Sequence, residues 1–252
     1  MSDPTSRLAP LLLALAPMAL AAEPADREPF TTDFPLAACN FQAAGGNAFL
    51  NLTAGRQLYL TNQRCVAAGE CDELEELWIT MLPDTKVVRF INKGRSYSVR
   101  TRVMEEFETV DGEVEEVSRN YVADCAPMHD VYYFGEDVFD GEGHPLPDAW
   151  LAGRSGAQPG ILMPDRAFLL GARYYQEIAP NAQDRAEHEA LGLDVVVPAG
   201  AFHDCVEVEE TSPLEPRSES VKTYCPGAGI TIDGDLELTA IYTNATSPSA
   251  GN

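Results

Sequence analysis

The sequence predicts a β-rich antiparallel domain, and three observations carry that expectation. Short runs of β-branched and aromatic residues alternate with turn residues through the middle of the chain. Two cysteines sit almost symmetrically about a proline-flanked turn, and no repeat of solenoid period interrupts the pattern. The length agrees, because 252 residues with 45% apolar content can bury one large core.

The chain opens MSDPTSR and then runs LAPLLLALAPMALAA, an apolar stretch of secretory length ending in small residues. Ala19-Leu20-Ala21 reads as a cleavage site, so residues 1–21 are expected to be a signal peptide, with the mature chain beginning at Ala22 in the periplasm or outside the cell. Pro10 and Pro17 interrupt the run, and it is short for a membrane span. Leu36-Ala37-Ala38-Cys39 has the pattern of a lipid-attachment site. Five charged residues separate it from the apolar run, so Cys39 reads as an ordinary mature cysteine. Residues 22–46, rich in Ala, Pro and Asp and ending in Gly45-Gly46, are expected to be a flexible leader.

The domain proper is expected over 47–243. KVVRFI and SYSVRTRVMEEFETV are separated by NKGR, and Asp111-Gly112 then introduces EVEEVSRNYV, which gives three consecutive antiparallel strands. Further strands are predicted at 131–139, 172–178, 193–198, 203–210, 217–225, 228–232 and 236–243. Two stretches read differently. DELEELWITML places Leu74, Leu77, Trp78 and Met81 at helical spacing, and NAQDRAEHEAL at 181–191 is made of helix formers with an Asn181 cap and a Gly192 stop. The segment 144–168 contains four prolines and predicts a long Pro/Gly-rich crossing loop anchored by Trp150, whose alternative role is ligand stacking. The tail 244–252, NATSPSAGN, is expected to be disordered.

All six cysteines fall in the expected mature chain, an even count that suits disulfides in an exported protein. Cys65 and Cys71 bracket a glycine-containing loop. Cys205 and Cys225 flank the turn SPLEP and would face each other across a hairpin. Cys39 and Cys125 then pair by elimination.

Several phrases taken together, NAFLNLTAGRQLYL, DGEVEEVSRNYVAD, VYYFGEDV, QPGILMP, RYYQEIAPNAQDRAE, VPAGAFHDCVEVEETSPLEP and KTYCPGAGIT, resemble a family of exported bacterial proteins, often lipoproteins, of a TapB-like kind. The likeness runs in order over about 47–233, and such proteins are similar to lipoprotein-carrier-like domains. The resemblance implies an all-β single domain on a curved antiparallel sheet or half-barrel, with at most one or two short helices, and it assigns no activity. It also implies two strands rather than a helix over 75–91, and a short turn followed by a long strand over 184–198, while 181–191 stays open. The sequence departs from the family pattern at 121–130, where YVADCAPMHD replaces a Trp-bearing pattern, and at Cys225.

Forty acidic against seventeen basic residues give a formal charge of −23. Such a field repels phosphate backbones and anionic lipid, which argues against nucleic-acid or membrane-surface partners, and it attracts cations. MHDVYYFGEDVFDGEGH at 128–144 offers Asp137, Asp140, Glu142 and His144 as a low-ranking cation site, but its order differs from a D-x-D-x-D-G calcium loop and a strand ending in a wet turn explains it as well. His129, His144, His188 and His203 lack zinc-enzyme spacing, no G-x-S-x-G or phosphate-binding glycine loop occurs, and no CxxC is present. No catalytic residue and no cofactor is therefore expected. The sequence predicts an exported, non-enzymatic β domain for a small molecule, lipid or envelope protein, and the resemblance to carrier-like domains implies an apolar or amphipathic ligand on the concave face. Alternatives are an acidic cation-binding or envelope-assembly partner and, behind them, a hydrolase with an unrecognised site.

Overall fold

Turn chemistry in the central stretch becomes a meander of long strands. The computed structural model describes residues 29–165 and 168–248, so the expected signal peptide lies outside the described residues. The strands are β1 (Asn40–Gln42), β2 (Gln57–Thr61), β3 (Glu75–Asn92), β4 (Arg95–Val110), β5 (Glu113–Ala126), β6 (Asp130–Asp140), β7 (Trp150–Leu151), β8 (Gln158–Met163), β9 (Arg173–Tyr175), β10 (Glu177–Ile178), β11 (Arg185–Val197), β12 (Gly200–Thr211), β13 (Glu219–Cys225), β14 (Gly229–Asp233) and β15 (Leu236–Tyr242). A 3-10 turn at Leu36–Ala38 and a six-residue helix at Gln63–Ala68 are the helical pieces among the described residues. The expected all-β class, single domain and curved antiparallel sheet are thus observed.

The sheet runs in the order β10-β8-β6-β5-β4-β3-β2-β15-β14-β13-β12-β11-β9, with β1 added to β5 and β7 to β6. Its two ends are neighbours in the chain, since only Gln176 separates β9 from β10. β9 pairs with β11 (Tyr175 opposite Arg185), while β10 pairs with β8 (Glu177 opposite Pro159). One short segment therefore joins both edges, and the sheet curls into a nearly closed barrel. Closure of this kind removes the open edges that an extended sheet would present to other chains.

The helix signal over 72–82 loses to strand. Leu58 pairs with Ile79 and Leu60 with Leu77, so Leu77, Ile79 and Met81 alternate onto one buried face, while Trp78 stacks on Tyr59 at 4.9 Å on the other. The open stretch 181–191 also resolves as strand from Arg185, burying Ala186 and His188. Tertiary pairing on both sides overrides local propensity at each site.

The outer face is covered at β5 and β6. Beyond the barrel, Phe41 of β1 packs edge-on against Tyr132 at 5.4 Å and Phe134 at 5.1 Å, and Phe34 packs against Tyr132 at 6.1 Å. Such pairs contribute about 0.5–1.5 kcal/mol each beyond burial. The described part of the expected leader is therefore docked, not free: it is tied down by these rings, by β1 and by the Cys39–Cys125 disulfide. That bridge makes Cys39 an ordinary cysteine, and the Cys65–Cys71 and Cys205–Cys225 bridges also form as expected. The described residues of the tail likewise lie on the sheet, with the Ala245 N–H donating to the Gly55 carbonyl at 2.9 Å.

Within the expected crossing loop, β7 and β8 add to β6, and Trp150 is buried edge-on to Tyr133 at 5.2 Å. Where β3 shifts register between Met81 and Thr85, Pro83 has no N–H for the ladder, and Arg102 takes up the freed carbonyls. Its Nη1 donates to Leu82 and Pro83, each at 3.0 Å, and its Nε donates to Ala43 at 2.9 Å.

Candidate functional site: the barrel interior

Alternation along each strand decides what enters the barrel. On β4 the same period carries Met104 and Glu106 inward, opposite Met81 and Ile79 of β3 and Asn120 and Ser118 of β5. On β6 a register shift against β5 puts Tyr133 and Glu136, three residues apart, on the cavity lining together. Gly135 lies between them with φ +144°, and a Cβ there would come within 2.6 Å of the Trp150 carbonyl oxygen, so the bulge requires glycine.

These side chains surround a cavity of about 190 Å³. Its apolar lining comes from Leu58, Ile79, Met81, Met104, Leu162 and Ile230. Among these stand Glu106, Glu136, Glu177, Asp184, Glu210 and Asp233, with Lys222 and Arg56 as the cations of the lining. A second hollow of about 340 Å³ shares Glu136, Asp184, Glu210 and Lys222 with the first and is walled by Asn181, Ser212 and Ser220, which makes it a polar vestibule.

The charges are unevenly matched. Lys222 Nζ lies 2.8 Å from Glu210 Oε2 and 3.7 Å from Asp233 Oδ2. Burial opposes its charge, but those two carboxylates outweigh it and hold its pKa well above the ordinary lysine value. Gln176 Nε2 donates to Glu210 Oε1 at 2.7 Å. Glu136 has no such cation. Burial pushes its pKa up to about 7 against the hydrogen bond with Tyr133, and repulsion from Glu106 and Asp184 adds to the rise. Tyr133 Oη lies 2.8 Å from Glu136 Oε2 and also contacts Asn120 Oδ1. One phenolic proton serves one acceptor, so a protonated Glu136 completes the pair by donating to the tyrosine.

Glu106 and Glu177 are raised in the same direction, in both cases first by burial. Glu177 is the extreme case. It is 1% exposed, its Oε1 accepts the Asp184 N–H at 2.6 Å, and its Oε2 has no hydrogen-bond partner among the described residues. Next along β4, Glu108 is also pushed up to about 7 by burial and by Glu106.

The residues singled out from the sequence lie elsewhere. Asp137 is held by Lys86 at 2.9 Å and by Tyr121, which with the nearby cations brings its pKa below the ordinary value although burial opposes this. Asp140 organises its own turn, accepting the Glu142 N–H at 2.9 Å and the His144 N–H at 2.8 Å. His144 stands 3.3 Å from Asp140 and 3.5 Å from Glu142 on the surface, so three of the four candidates meet and Asp137 points to Lys86 instead. Among the described residues, the groups of potential metal ligands within 4.8 Å of one another are Cys65, Cys71 and Asp235, two of which are spent in a disulfide, and Glu187, Glu189 and Glu209. None of the four histidines lines the cavity, and His188 is buried between Leu169 O and Tyr174 Oη, each 3.1 Å from a ring nitrogen.

Sequence reasoning missed Glu106, Glu136, Glu177, Glu210, Lys222 and Asp233. The available signal was the alternation Met104-x-Glu106-x-Glu108, which sets charge on the face that Met104 makes apolar. No family model, curated protein or solved structure matches the chain, so the resemblance drawn from its sequence phrases rests on those phrases alone.

Proposed function

We propose that this chain is an exported, non-enzymatic binding barrel that takes a small amphipathic ligand into its interior. The observation that carries the reading is a cavity whose lining combines methionine and aliphatic side chains with convergent carboxylates. Ligand sites are concave and largely apolar with a few convergent polar groups, and this interior has that composition. Three disulfides and the secretory N-terminal pattern support export. No helix among the described residues is long and apolar enough to cross a membrane.

Native mass spectrometry of the protein purified from its own exported fraction tests this. A small molecule that leaves on denaturation supports the reading. A bare chain, together with failure to bind small alcohols or amines in vitro, contradicts it.

A further inference from the structure

Resting on that reading, we infer that the polar end of the ligand is an organic cation, a primary ammonium on a short apolar stem, received by Glu177, Glu136 and Glu106. The cavity lining carries six carboxyl groups against two cations, Lys222 and Arg56, and Arg56 is spent on the Gly227 and Ala228 carbonyls, each at 2.7 Å. Lys222 is engaged by Glu210 and Asp233, and among the described residues Glu106, Glu136 and Glu177 have no ion-pair partner within 4.0 Å. Glu177 Oε2 is a buried acceptor with no donor among the described residues, on a side chain that lines the cavity. Buried acceptors are rarely left unpaired, and each such case calls for a group that completes it. A positively charged donor fits best, because it satisfies the acceptor and offsets the excess of carboxyl groups together.

Lys222 shows how this interior holds an ammonium, with one carboxylate oxygen at 2.8 Å and a second at 3.7 Å. A bare metal ion fits less well. Calcium needs six or more oxygens converging at about 2.3–2.6 Å, whereas no three of the interior carboxylates offer oxygens within 4.8 Å of one another among the described residues. An ammonium needs only a few acceptors, and its stem would lie against Ile79, Met81 and Met104. The cavity of about 190 Å³ suits a ligand of that size, since a dry cavity of about 150 Å³ already takes up benzene. The charge of −23 would draw cations toward the barrel.

The test is calorimetric titration of the full mature chain with hexylammonium, hexanol and hexanoate at neutral pH, repeated on Glu177→Gln and, should that variant not fold, on Glu136→Gln. The expected result is that hexylammonium binds at least about tenfold more tightly than hexanol, that hexanoate does not bind, and that the variant loses the preference for ammonium, in line with the strength of a charged hydrogen bond. Hexanol binding as tightly as hexylammonium to the wild type would overturn the cation while leaving the binding barrel standing. Competition by calcium chloride in preference to hexylammonium would overturn it in favour of a metal. If none of the three six-carbon probes binds, both the cation and the binding-barrel reading fail.

Discussion

Replacing Glu136 with Gln should make the protein more stable at alkaline pH and leave it nearly unchanged at pH 5. The folded protein raises the Glu136 pKa from 4.5 to about 7. A raised carboxyl contributes stability that is fully present below its unfolded value and is lost as pH rises through its folded value, so the window runs from about pH 4.5 to about pH 7. At about 1.4 kcal/mol per pKa unit, ionising Glu136 within the barrel costs about 3 kcal/mol at pH 8. Glutamine mimics the protonated acid and keeps an acceptor for Tyr133, so it avoids that cost. His188 works in the opposite sense: burial lowers its pKa to about 4, which removes stability as pH falls below 6.5. Both proteins carry His188, and its contribution cancels in the difference. The assay is urea unfolding of both proteins at pH 5, 6, 7 and 8. The expected gap between them opens from near zero to about 3 kcal/mol in favour of the variant. A gap that stays constant with pH, or a variant less stable at pH 8, would refute the claim that Glu136 is buried without a compensating cation.

The three disulfides should rank by the loops they close. Their sequence separations are 86, 20 and 6, and chain entropy alone then gives losses of about 5, 3 and 2 kcal/mol for the Cys39/Cys125, Cys205/Cys225 and Cys65/Cys71 double alanine variants. Urea midpoints of the three variants check the order, and a Cys39/Cys125 variant no weaker than the Cys65/Cys71 variant would contradict it. Arg102→Ala removes the donor that satisfies the carbonyls of Ala43, Leu82 and Pro83. It should cost at least about 2 kcal/mol, read as a lower melting temperature, and Arg102→Lys should recover only part of it because a point charge cannot span three acceptors.

Turn chemistry was legible, and with it much of the fold. NKGR, Asp111-Gly112 and SPLEP each fall between paired strands, and the cysteines flanking SPLEP meet because Val206 pairs with Tyr224 one step inside them. β3 was ambiguous because Leu74, Leu77, Trp78 and Met81 satisfy a helical period while Leu77, Ile79 and Met81 satisfy a strand period. Only the partner strands decide between them. Barrel closure was hidden, since 173–178 reads as a single strand and nothing local shows that it pairs on one side with β11 and on the other with β8. The interior site was hidden for a statistical reason: among forty acids, six that face inward look like the rest until the register is known.

The central claim is that the barrel interior is the binding site, and filling it is the most direct test. Met104→Trp places a larger ring where Met104, 6% exposed, now faces the cavity. Hexanol binding by calorimetry should show one equivalent on the wild type and none on Met104→Trp, with both proteins giving the same cooperative unfolding transition. A folded Met104→Trp protein that binds hexanol as well as the wild type would place the site elsewhere and contradict the account.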